Sequence, residues 1–175
     1  MKRFVSTILI LACTIAAFAQ NPVLRQRLEI AEIEINDGER SLEVFRMEYN
    51  GQYYLSVGNL GIGTDLFQIQ FDPLFELFIP LGGTLDESME KLQDLKAFYK
   101  QARKTSTEVQ GCLSAAYPND KLEPITVTSR QFLGRILEFS VERDGLIRAT
   151  YVPRADFNSL VTSVKLYRKI HPKEL

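Results

Sequence analysis

The chain has 175 residues, with 21 Lys and Arg against 22 Asp and Glu and one His, a formal net charge of −1. That balance excludes the basic footprint expected of a nucleic-acid-binding domain. The lone His171 sits in a basic tail and leaves no catalytic triad or His-rich metal site to build.

Residues 1–19 read as a cleavable secretory signal. Lys2 and Arg3 form a positive head, Phe4 to Ala17 a mainly apolar stretch, and Ala17-Phe18-Ala19 the small-x-small pattern cut before Gln20. The apolar stretch falls short of the roughly 20 residues a bilayer-spanning helix needs, and no later stretch reaches that length, so no membrane span is expected. The expected product is exported, periplasmic or extracellular. Ile10-Leu11-Ala12-Cys13 loosely has the form of a lipobox, which leaves lipid anchoring through Cys13 as the alternative; the apolar residues after Cys13 argue against it.

Without the leader, residues 20–175 carry 19 Lys and Arg against 22 Asp and Glu, and the charge is uneven along the chain. Residues 20–94 hold 14 acids and 5 bases, and residues 95–175 hold 8 acids and 14 bases. A single α+β domain is expected, since a chain of about 150 residues buries enough surface to hold itself together by its core. Cys112 is then the one remaining cysteine, which rules out an internal disulfide and suits a small buried apolar residue.

Three alternating runs over residues 28–57, broken at Asn36-Asp37-Gly38 and Asn50-Gly51, predict a three-stranded meander. With two-residue loops, Ile35 pairs with Arg40, Ile33 with Leu42, Ala31 with Val44, Val44 with Val57 and Arg46 with Leu55. One face then gathers Ala31, Ile33, Ile35, Leu42, Val44, Leu55 and Val57 as core. The reverse face gathers Phe45, Met47, Tyr49 and Tyr54, which form either a contact surface or a patch that another element covers.

Gly58, Gly61 and Gly63 match neither a dinucleotide fingerprint nor a Walker loop, and so predict a bend. Two apolar runs, Leu66 to Phe71 and Leu74 to Ile79, follow it. Thr84 with Glu87 is a capping box before an amphipathic helix expected over 85–103, with Leu85, Met89, Leu92, Leu95 and Phe98 on its apolar face. Residues 105–124 are weakly patterned, with a short helix expected around Cys112 to Tyr117. A hairpin centred on Asp144-Gly145 turns Leu137, Phe139, Val141, Leu146 and Val152 to one side, and Glu138, Ser140 and Glu142 to the other.

A second amphipathic helix carries Phe157, Val161, Val164, Tyr167 and Ile170. These five match the first helix's apolar positions at a constant offset of 72, and Val152-Pro153 before it echoes Ile79-Pro80. A weak internal β-β-α repeat follows. The expected fold is two-layer, a mainly antiparallel sheet with both helices on one face.

No cofactor or metal site is expected. Glu142 and Asp144 flank a turn, where Asp-Gly serves the backbone. The function these residues suggest is an exported, non-catalytic domain that binds a protein, peptide or envelope component through its sheet, with Phe45, Met47, Tyr49 and Tyr54 as contacts. Alternatives are a carrier of a small apolar ligand, pocketed between sheet and helices, and an enzyme acting on envelope polymers.

Overall fold

The computed structural model describes residues 27–35, 40–48, 50–58, 61–62, 70–71, 76–114, 122–131, 134–143 and 145–172. Residues 1–19, read above as a secretory signal and including Cys13, and Tyr49 lie outside these residues. Eight long strands form one antiparallel sheet: β1 (Arg27–Ile35), β2 (Arg40–Met47), β3 (Tyr53–Gly58), β6 (Glu76–Gly82), β7 (Ser106–Ser114), β8 (Glu123–Gln131), β9 (Arg135–Arg143) and β10 (Leu146–Pro153). Two short strands, β4 (Gly61–Ile62) and β5 (Gln70–Phe71), extend the far end, giving the order β1-β2-β3-β6-β7-β8-β9-β10-β4-β5. Helix α1 (Leu85–Phe98) follows β6, and helix α2 (Arg154–Ile170) follows β10. Among the described residues no helix is long and apolar enough to cross a membrane.

The β1–β2 register is the one expected, with Ile35 opposite Arg40, Ile33 opposite Leu42 and Ala31 opposite Val44. The β2–β3 register is two residues away from expectation: Val44 meets Leu55, and Leu42 meets Val57. The cause is the turn, which closes at Met47 N to Gln52 O (2.9 Å) and Gly51 N to Met47 O (2.9 Å), so it is longer than Asn50-Gly51 alone. A slip of two preserves the faces, because side chains alternate with a period of two. Ala31, Ile35, Leu42, Val44, Leu55 and Val57 are accordingly buried in the main core.

Gly82 ends β6 at φ 120, a left-handed backbone, and a Cβ there would meet the Glu87 Cβ at 2.6 Å. Helix α1 then starts as expected: Thr84 Oγ1 accepts from Glu87 N (3.2 Å), while Glu87 Oε2 accepts from Thr84 N (3.3 Å) and Gly83 N (2.7 Å). It ends at Phe98, short of residue 103. Tyr99 is drawn into the core, where its ring lies 5.6 Å from that of Phe157 and its hydroxyl donates to Val152 O at 3.0 Å.

Residues 106–114 form strand β7, where a short helix had been expected around Cys112. Gly111, at φ 74, lies within a bulge between Val109 and Cys112 that resets the side-chain alternation and hides the strand period in the sequence. The Asp144-Gly145 hairpin has its expected register, with Leu146 opposite Arg143, and Leu137, Phe139, Val141 and Val152 are buried.

The repeat is larger than a β-β-α unit. Four strands and a helix (β1, β2, β3, β6, α1) are followed by four strands and a helix (β7, β8, β9, β10, α2), with β4 and β5 inserted in the first unit. The buried residues of α1 are Leu85, Ser88, Met89 and Leu92; those of α2 are Phe157, Leu160, Val161 and Val164, four matches at an offset of 72. Ile170, expected on that face, is exposed at the helix end. Helix α2 packs on β1 and β2 and also on β9 and β10, as well as on α1. A flat sheet would put about 34 Å between β1 and β10, at about 4.8 Å per strand, whereas a helix is about 10–12 Å wide. The sheet therefore curls around the helix layer.

Candidate binding cleft

Among the described residues the long strands of the two units meet in the sheet at the β6–β7 seam, where Leu77 lies opposite Ser114 and Phe78 opposite Leu113. Beyond these pairs stand Pro80, which has no N–H for a ladder, and the Gly111 bulge. The Gly111 position faces the Pro80 ring, 3.8 Å from where a Cβ would be. The strands part, and a cleft of about 600 Å³ opens between β6, β7 and α1. Its floor and walls are Ile79, Leu81, Leu95, Phe98 and Val109. Gln52, Lys91, Asp94, Thr107, Glu108 and Gln110 supply its polar rim, with charges of both signs. A concave, mainly apolar site of this size with a few polar groups is what ligand recognition uses.

The reverse face does not offer the contact surface expected from sequence. Phe45 and Met47 are 0% exposed and Tyr54 is 7% exposed; together with Phe78 and Leu113 they form a second small core behind the sheet. Their strands are neighbours, so the rings meet across the ladder. Phe45 stacks on Tyr54 at 5.8 Å and takes Phe78 edge-on at 5.6 Å, and the Arg27 guanidinium lies 5.3 Å from the Phe45 ring centre. Tyr49, the fourth expected contact, lies outside the described residues.

Arg27 also holds two carboxylates beside this second core, Glu43 at 3.1 Å and Glu76 at 3.4 Å, and Glu76 accepts from the Ser56 hydroxyl. Burial pushes Glu43 up to about 7 against the attraction of Arg27, with Glu76, Glu32 and Glu29 adding repulsion. On the outer face of the second unit, Arg130 binds Glu138 through two hydrogen bonds of 3.0 and 2.9 Å, which occupies the most buried acid of that face. A groove of about 350 Å³ runs there past Thr126, Thr128, Ser140 and Glu142, with Pro124, Val141 and Ile147 also in its lining. Glu142 is exposed, and Asp144 lies outside the described residues. No group of three or more His, Cys, Asp and Glu side chains is placed to hold a metal ion among the described residues.

Cys112 is 0% exposed, and burial first, then the nearby Glu123, pushes its thiol up to about 12, away from the thiolate form. His171 caps α2: its backbone N–H donates to Tyr167 O at 2.9 Å, and its ring stacks on Tyr167 at 4.1 Å. Sequence reasoning placed Leu95 and Phe98 on the core-facing side of α1, and they are half-buried where that side runs out over the cleft. The signals of an opening were a proline inside a strand run and a glycine inside a weakly alternating one. No family model, no curated protein and no solved structure matches the chain.

Proposed function

We propose that the chain is an exported, non-catalytic binding domain and that its ligand sits in the cleft between β6, β7 and α1. The observation that carries this reading is the parting of the sheet at the seam of the two units, which leaves apolar side chains of both strands and of α1 around an open space. The reading keeps the sheet as the binding element but moves the contacts from Phe45, Met47 and Tyr54 to the seam. The apolar floor also supports a second reading, a carrier of a small apolar molecule.

Amide shifts recorded while the protein is titrated with a library of small organic fragments, and separately with soluble envelope-polymer fragments, test the site. The proposal expects shifts gathered at Gln52, Leu81, Leu95, Phe98 and 107–110. Shifts gathered instead on the Thr126–Ser140 groove, or turnover of an envelope polymer, refute it.

A further inference from the structure

We infer that the cleft takes an extended polypeptide segment, added as a strand along the β6-facing edge of β7; the inference rests on the cleft reading above. The direction of the backbone groups carries it. Ser129 N donates to Thr105 O at 2.9 Å and Ser129 O accepts from Lys104 N at 2.7 Å, so at Ser129 both backbone groups of β8 aim at β7. With the period of two in an antiparallel ladder, Val127 and Ile125 do the same opposite Thr107 and Val109. The N–H and C=O groups of Ser106 and Glu108, and the N–H of Gln110 across the trans peptide from the Val109 C=O, therefore point away from β8, to the side where β6 lies.

Strand β6 does not meet them. Its pairing with β7 stops at Phe78 opposite Leu113, and Ser106, Thr107, Glu108 and Gln110 are exposed. A row of outward backbone donors and acceptors is a template for another strand. From Ser106 to Gln110 the edge measures about 17 Å at about 3.3 Å per residue, which suits a segment of four or five residues. Every second side chain of such a segment would meet the half-buried Leu95, Phe98 and Val109, while those between face outward. With Lys91 set against Asp94 and Glu108, the rim favours neither sign of charge. The ligand class is an extended peptide with apolar residues at alternate positions.

The test uses the full mature protein and an array of short immobilised peptides, apolar at alternate positions, beside the same array with alternate backbone amides N-methylated. Wild type is expected to bind members of the first array and to lose about tenfold or more on the second, the effect of removing one or more backbone hydrogen bonds. Glu108→Pro removes an outward donor that takes no part in the β8 ladder, and is expected to weaken peptide binding to a similar degree with the thermal transition retained. Thr107→Trp fills the cleft and is expected to abolish binding of any occupant.

Peptide binding that is lost in Thr107→Trp but indifferent to N-methylation overturns strand addition and leaves the cleft reading standing. So does a wild type that binds no peptide while fragments still shift the cleft amides. Peptide binding indifferent to Thr107→Trp overturns both. A dimer in light scattering that Glu108→Pro dissolves also overturns the inference, since a second copy then takes the edge.

Discussion

Glu43→Gln should make the protein more stable at pH 8 and leave it almost unchanged at pH 5. The Glu43 side chain is 7% exposed, faces the second core, and has a pKa of about 7 in the fold against an ordinary 4.5. The folded state thus binds this proton more tightly than the unfolded chain, so stability is full below pH 4.5, falls as the pH rises, and reaches its lower plateau above pH 7. At about 1.4 kcal/mol per tenfold difference in proton affinity, ionising Glu43 in the fold costs about 3 kcal/mol, with the attraction of Arg27 already contained in that figure. Glutamine keeps the shape and never ionises. Urea unfolding followed by circular dichroism at pH 5, 6, 7 and 8 reads the difference between the two proteins, which should grow by about 2.5 kcal/mol across that range in favour of Gln. A difference that stays constant with pH, or a variant less stable than wild type at pH 8, would refute the reasoning that the acid is buried beside an apolar cluster.

Tyr54→Asp places a carboxylate in the second core and should abolish the cooperative thermal transition, whereas a folded variant would mean that the Phe45, Met47 and Tyr54 face is open. Phe157→Ala removes a fully buried ring that packs on Tyr99 and should cost about 3–5 kcal/mol in urea unfolding; a loss under about 1 kcal/mol would show that α2 is not packed as described. Cys112 should react with an aromatic disulfide reagent at pH 8 only as fast as the protein unfolds; rapid labelling of the native protein would contradict its burial.

Local signals carried most of the architecture. Three tight-turn dipeptides, one capping box and the alternation of Leu42, Val44, Leu55 and Val57 are short-range features whose physics is contained in a few neighbouring residues. The β2–β3 register was missed because a two-residue slip leaves every side chain on its face, so hydrophobicity alone cannot discriminate between the two alignments. Strand β7 was missed for the opposite reason: the Gly111 bulge breaks the period on which strand recognition depends. The reverse-face aromatics were legible as a cluster, but their burial depends on Phe78 and Leu113, which come from β6 and β7. The cleft was the least legible feature. It arises from two strands failing to pair, and pairing across a helix of intervening chain is a property of the assembled sheet.

The account turns on whether the seam between the units is open along β7, and amide hydrogen exchange on the free protein measures that directly. The amides of Thr107 and Val109 should be protected by β8, while those of Ser106, Glu108 and Gln110 between them exchange at close to the rate of unstructured chain. Equal protection at all five would mean that the edge is already paired and that nothing remains there to bind.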